Sequence, residues 1–82
     1  MHPWRCPCCG CKTLDERGMY EICPVCFWED DGQDDHNADR SDGPNHLSLT
    51  VARANYFRLG ACEERFIGNV RAPLPVEKPD SP

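Results

Sequence analysis

The chain lacks several features that would assign it to a membrane or secreted class. Its 82 residues contain no apolar run that approaches the length of a membrane span. Residues 1–5 have none of the apolar character that a secretory signal needs before the first cysteine. We therefore expect a cytoplasmic protein whose thiols stay reduced.

Basic residues are also scarce. Lys and Arg number 9 against 14 Asp and Glu, which gives a formal net charge of −5. Nucleic-acid binders commonly carry the opposite sign, because neutralising phosphates supplies much of their affinity. The charge balance therefore argues against nucleic acid and favours a protein partner with a basic surface. The sequence does not predict an oligomeric state.

Catalytic motifs are missing as well. No Ser-His-Asp order, phosphate-binding glycine loop or nucleotide fingerprint is present. The acidic loop, residues 29–46, does not match a calcium-binding loop, which needs Gly at its sixth position and Glu at its twelfth. We expect a non-enzymatic protein. The rival is a hydrolase or transferase that uses the carboxylates of Glu29, Asp30 and Asp31.

Cysteine is what the chain has in excess, with seven in 82 residues. The odd count argues against a full set of internal disulfides, and a chain of this size often needs a metal or disulfides for stability. Two cysteine-rich turns supply metal ligands: the first knuckle, residues 6–10 (Cys-Pro-Cys-Cys-Gly), and the second knuckle, residues 23–27 (Cys-Pro-Val-Cys-Phe). A hairpin formed by residues 10–22 would bring the two together as a closed four-thiolate site.

The first knuckle offers two ligand pairs, either Cys6 with Cys9 or Cys8 with Cys11. Pro7 and Gly10 favour the first pair, because the second knuckle repeats the Cys-Pro opening. We therefore assign one structural Zn²⁺ to four thiolates: Cys6, Cys9, Cys23 and Cys26. Iron accepts the same ligands, so a rubredoxin-like redox carrier is the alternative.

Three cysteines lie outside this ligand set. Cys8 and Cys11 are alternative ligands, or thiols of a redox sensor that ejects the metal on oxidation; the simpler interpretation is that they only pack beside the site. Cys62 is expected to be a small buried hydrophobe.

The fold predicted from these features is a small metal-stapled α+β fold. A zinc-ribbon or rubredoxin-like knuckle hairpin has strands at residues 12–14 and 19–22, joined by a turn at residues 15–18. Gly10 is expected to end the first knuckle in a left-handed conformation. Phe27 stands at the matching place in the second knuckle, so we expect a different turn there.

One main helix is predicted at residues 48–59. Ser48 is a good N-cap and Gly60 a good C-terminal stop. Leu49, Ala52, Tyr56 and Leu59 form an apolar stripe, which Phe57 widens, while Arg53 and Arg58 stay solvated. A single domain then covers residues 1–72, and a disordered Pro-rich tail covers residues 73–82.

Together these motifs resemble the bacterial cysteine-rich CPCC family. The resemblance is carried by residues 6–10, 20–32, 43–49 and 52–53, and it covers about residues 4–73. It implies a small bacterial zinc-binding protein with no established activity. Cys11 stands where the family commonly has an aromatic residue, and Val51 where it commonly has Glu.

The resemblance directs attention to the polar segment after the second knuckle. We expect one end of a recognition surface there, formed by Trp28, Glu29, Asp30, Asp31 and Asn45. The structural alternative is that the acids accept backbone hydrogen bonds and that Asn45 fixes the loop. The leading interpretation is an interaction module that presents the acidic loop and the helix to another protein. An antitoxin or immunity-type binder of a basic partner is an alternative within this class.

Overall fold

Two short strands and one helix frame the molecule in the computed structural model, which describes residues 2–79. Strand β1 (Trp4–Arg5) pairs antiparallel with β2 (Lys12–Leu14), with a bulge in β1, so that the first knuckle lies at the tip of this hairpin. Helix α1 covers Leu49–Leu59, and two 3₁₀ helices cover Asp35–Asn37 and Glu64–Asn69. Among the helices of residues 2–79, none is both long enough and apolar enough to cross a membrane.

The predicted hairpin is right in one strand and wrong in the other. β2 forms as expected, but its partner is β1, and residues 19–22 form no strand. The physical reason is Tyr20, whose φ of +61° places it in the left-handed region, where an extended strand cannot continue. The segment instead makes one bridge, from Ile22 to Glu29. A two-strand hairpin and one main helix are thus present, while the likeness to a zinc ribbon stays a prediction.

Helix α1 begins and ends where its capping residues predict. The Ser48 hydroxyl accepts a hydrogen bond from the Val51 N–H at 3.1 Å. At the other end Gly60, with a φ of +80°, donates its N–H to the carbonyl of Tyr56. Both ends therefore satisfy backbone groups that a bare helix leaves without partners.

The apolar stripe of α1 faces the core as predicted, but it is narrower than expected. Leu49 and Ala52 are buried, and Tyr56 and Leu59 are half-buried. Phe57 is 94% exposed, so the prediction that it widens the stripe is wrong. At about 100° per residue it lies about 120° from the centre of the stripe.

The core contains few large side chains and much sulfur. Trp28, Leu14 and Leu49 are its largest fully buried apolar members. Six cysteines are buried with them: Cys6, Cys8, Cys11, Cys23, Cys26 and Cys62. A core of this size supplies limited hydrophobic stabilisation.

Polar contacts hold the acidic loop in place, since it has little apolar surface to bury. Arg17 donates to the carboxylates of Asp30 at 2.9 Å and Asp34 at 2.8 Å. The buried side-chain amide of Gln33 donates to the carbonyls of Asn37 and Arg40, both at 2.8 Å. Hydrogen bonds from Arg17 and Gln33 thus fix the loop, where other loops would use hydrophobic contacts.

Residues 73–79 differ from the disordered tail that their prolines predict. Glu77 is only 4% exposed. Its carboxylate accepts two hydrogen bonds from Arg71, each at 2.8 Å, and its carbonyl accepts one from the Lys12 N–H at 2.7 Å. Proline content alone predicts disorder here, but the ion pair between Arg71 and Glu77 holds the segment in place. Residues 80–82 of the predicted tail lie outside the described residues.

Candidate metal centre

The two knuckles have the same backbone turn. In the first, the Gly10 N–H donates to the carbonyl of Cys6 at 2.8 Å; in the second, the Phe27 N–H donates to that of Cys23 at 2.8 Å. The closing residues have nearly equal φ angles, +79° at Gly10 and +71° at Phe27. The expectation that Phe27 makes a different turn is therefore wrong.

Phe27 adopts a conformation that its side chain disfavours. A residue with a Cβ atom pays about 1–2 kcal/mol for the left-handed region. Packing offsets this cost, because the Phe27 ring lies 4.5 Å from the ring of Phe66, measured between centroids. The second knuckle thus depends on a contact with the C-terminal 3₁₀ helix, whereas the first knuckle does not need one.

Four sulfurs meet between the knuckles. The Sγ atoms of Cys6, Cys9, Cys23 and Cys26 all lie within 4.8 Å of one another. The Cys6–Cys26 pair is 3.5 Å apart and the Cys9–Cys23 pair 3.7 Å apart. Tetrahedral bonds of about 2.3 Å to one ion would separate sulfur ligands by about 3.8 Å. The donors therefore fit a four-coordinate metal ion, and they are the four that the spacing favoured.

Burial closes most of the cluster to solvent. Cys6, Cys23 and Cys26 are at most 1% exposed, and Cys9 is half-buried. A site with four protein ligands and little solvent access is typical of structural metal ions, since catalytic ions keep an open position.

The cluster cannot carry four negative charges without a cation. Contact with the Cys23 sulfur raises the pKa of the Cys9 and Cys26 thiols, and contact with Cys26 lowers the pKa of Cys23. The raised pKa values favour the protonated thiol at Cys9 and Cys26 when no cation is bound. A divalent cation would displace the remaining protons, so metal binding is expected to release them.

Cys23 also receives hydrogen bonds from outside the cluster. The Thr13 hydroxyl donates to its Sγ atom at 3.0 Å, and the Val25 N–H does so at 3.4 Å. The sequence pattern predicts a strand at Thr13 and indicates no role for it at the site. The sequence feature that could have pointed to Thr13 is its position between the two knuckles, in β2. Threonine is common in strands, so this position alone does not single it out.

The three remaining cysteines surround the cluster. Cys62 is buried as expected, and its N–H donates to the carbonyl of Cys26 at 2.8 Å; burial raises its thiol pKa to about 12. Cys8 and Cys11 are buried too, and burial raises the pKa of Cys11. These surroundings favour packing over a redox sensor, because reactive cysteines need solvent access.

Two members of the predicted recognition surface are buried. Trp28 and Asp30 are each 0% exposed, so neither is available to a partner, and that part of the prediction is wrong. Asp30 accepts hydrogen bonds from the N–H groups of Gly18 at 2.8 Å and Gly32 at 3.0 Å, besides its pair with Arg17. Trp28 fills the core, although its indole N–H has no partner among the described residues.

The other members of that surface also hold the chain. The Asn45 side chain accepts from the Glu29 N–H at 2.9 Å and donates to the Glu29 carbonyl at 2.8 Å, as a neighbouring strand would. Asp31 accepts from Arg40 at 2.7 Å and from the Gln33 N–H at 3.1 Å. Two of the acids thus accept hydrogen bonds within the chain and Asn45 fixes the loop, as the structural alternative predicted. These contacts also occupy Asp30 and Asp31, two of the three carboxylates on which the hydrolase or transferase alternative depends.

Arg53 is a second residue whose role the sequence analysis missed. It was expected in solvent, yet it donates to the Pro7 carbonyl at 2.8 Å and to Asp35 at 2.7 Å. The guanidinium thus ties α1 to both the first knuckle and the acidic loop. Only the fold brings its partners together, since they lie far from it in the sequence.

Comparison with known families agrees with these features. A family model described as Cysteine-rich CPCC matches residues 4–77. No curated protein and no solved structure matches the chain. Since the match covers most of its length, the chain belongs to the cysteine-rich CPCC family.

Proposed function

We propose that this CPCC protein is a non-enzymatic interaction module whose fold depends on one structural Zn²⁺. Four thiolates would hold the ion: Cys6, Cys9, Cys23 and Cys26. The observation that carries the metal assignment is the cluster itself, with all four sulfurs within 4.8 Å of one another and three of them buried. A reducing compartment such as the cytoplasm would keep these thiols available.

The place of the cluster supports a structural role. The first knuckle lies at the tip of the β1–β2 hairpin, and the second leads into Trp28, which is fully buried in the core. One ion would cross-link these two parts of a chain whose hydrophobic core is small. In such proteins the free energy of metal binding is largely free energy of folding.

Metal analysis of purified protein tests the assignment. We expect one Zn²⁺ per wild-type chain and none in Cys23→Ser. Cys8→Ser is the matched control, because it removes a buried thiol beside the cluster and should retain the metal. One equivalent of metal in Cys23→Ser would contradict the ligand set. The iron alternative predicts a red oxidised protein, whereas a zinc protein is colourless.

Three exposed apolar side chains, interrupted by Glu21, precede the second knuckle and support the interaction role. Met19, Tyr20 and Ile22 are exposed by 62%, 58% and 49%, although side chains of this kind are usually buried. The net charge of −5 favours a partner that is basic around an apolar contact. We therefore move the proposed recognition surface from the acidic loop to residues 19–22.

The interaction role is tested on a partner that has first been identified and purified. The double variant Met19→Ser with Ile22→Ser should weaken its binding by about 10-fold or more, because central apolar contacts dominate interface energies. Phe57→Ser is the control, since it removes an exposed apolar side chain from α1 instead. Equal affinity of the double variant and the wild type would exclude this surface. A turnover activity abolished by Glu29→Gln in a folded protein would replace the module with an enzyme.

A further inference from the structure

One buried hydroxyl lies against the sulfur cluster. Thr13, on β2, is 5% exposed, and its Oγ1 atom is 3.0 Å from the Sγ atom of Cys23. The bond joins the β1–β2 hairpin to the second knuckle without using the metal. It also gives a buried hydroxyl the partner that it needs, because burying one without a hydrogen bond is costly.

The direction of this hydrogen bond matches what a loaded site would need. Four thiolates around a divalent cation carry an excess negative charge of about −2. A hydroxyl that donates to one of them stabilises that charge, and hydrogen bonds to charged groups are stronger than neutral ones. The Val25 N–H points at the same sulfur at 3.4 Å. Cys23 therefore has donors on two sides, one from its own knuckle and one from β2.

We propose that Thr13 is a positioning residue of the metal centre, which holds the Cys23 sulfur in place and stabilises its negative charge. This inference rests on the proposed four-thiolate site. Partners of this kind, which orient a ligand without touching the metal, typically change metal affinity by 10–100-fold when they are removed. The methyl group of Thr13 is not needed for this role, because Oγ1 makes the contact with Cys23.

Two substitutions separate the hydroxyl from the rest of the side chain. Thr13→Val keeps the shape and removes the donor, whereas Thr13→Ser keeps the donor and removes the methyl group. With zinc competed against a chromophoric chelator, we expect Thr13→Val to bind about 10-fold more weakly. Thr13→Ser should bind as the wild type does. Equal affinities of Thr13→Val and wild type, or an equal loss in both variants, would overturn the inference.

Cobalt gives a readout that packing alone would not move. In the Co²⁺-loaded protein, the hydrogen bond lowers the energy of the sulfur electrons and so raises the energy of sulfur-to-cobalt charge transfer. We expect this absorption band to shift to longer wavelength in Thr13→Val and to stay in place in Thr13→Ser. An unshifted band in Thr13→Val would contradict the proposal.

The two proposals fail in different ways. A folded wild-type protein that binds neither Zn²⁺ nor Co²⁺ overturns the metal centre and the role of Thr13 with it. A wild type that binds metal, beside a Thr13→Val variant with the same affinity and spectrum, overturns the role of Thr13 alone. If Thr13→Val does not fold, Thr13→Ala removes the same donor with a smaller side chain. The same loss of zinc affinity and the same shift of the cobalt band are then expected of Thr13→Ala.

Discussion

Replacing Asp30 with Asn tests whether this carboxylate holds the fold or faces a partner. Asp30 is fully buried, and it accepts hydrogen bonds from Arg17 and from the N–H groups of Gly18 and Gly32. An amide of the same size has one acceptor oxygen and a donor NH₂ group. In either orientation the NH₂ group would face another donor, and Arg17 would keep only the more exposed Asp34 as a counter-charge.

The expected loss of stability is large for a domain of this size. A buried donor that loses its acceptor costs about 1–3 kcal/mol, and more beside a charged group, so a loss of about 2–3 kcal/mol is expected although Arg17 keeps its pair with Asp34. For a domain of 60–100 residues each kcal/mol lowers the melting temperature by about 4–8 °C. We therefore expect Asp30→Asn to melt at least about 8 °C below the wild type.

Thermal denaturation followed by circular dichroism measures this effect at a fixed excess of metal. The control is Asp42→Asn, which removes a surface carboxylate whose pair with Arg40 is solvent-exposed. Exposed pairs contribute about 0–1 kcal/mol, so the control should melt close to the wild type. If Asp30→Asn also melted within a few degrees of it, the reasoning would be refuted, and Asp30 would return to the list of partner-facing residues.

Three further predictions follow from other parts of the structure. Tyr20→Gly should raise the free energy of unfolding by about 0.5–1 kcal/mol in urea titrations, because glycine relieves the left-handed conformation of an exposed residue; a loss would show that its ring packs usefully. Arg71 lowers the pKa of Glu77 to about 2, below its ordinary 4.5, so the stability from this carboxylate is present above pH 4.5 and is lost as the pH falls towards 2. Glu77→Gln should flatten that part of the pH–stability curve, and an unchanged curve would contradict the pairing. A strong chelator should unfold the wild type at a temperature where the metal-loaded protein is stable, and unchanged circular dichroism would argue against a structural ion.

Features that depend on neighbours in the sequence were predictable. Ser48 and Gly60 cap α1 through bonds to residues within one turn, so their chemistry marks the ends of the helix. The cysteine spacing likewise selects the four sulfurs that cluster, because a short turn sets the geometry of each pair. In both cases the chain between the interacting groups is too short to permit many arrangements.

Features that depend on distant partners were not predictable. The pairing of β2 with β1 instead of residues 19–22 depends on the left-handed φ of Tyr20, which an aromatic residue rarely adopts. The burial of Asp30 depends on Arg17, thirteen positions away, and aspartate is ordinarily an exposed residue. Local patterns carry no information on such pairings.

The shared turn of the two knuckles has a consequence for how the protein assembles. Gly10 reaches its φ of +79° at little cost even in an unfolded chain, whereas Phe27 reaches +71° with the help of the Phe66 ring. We expect Cys6 and Cys9 to be the first two sulfurs to capture the metal, as a partly preformed chelate. The second knuckle would close later, once the C-terminal 3₁₀ helix has reached Phe27. A difference of one residue type between two equal turns would thus set the order of the folding steps.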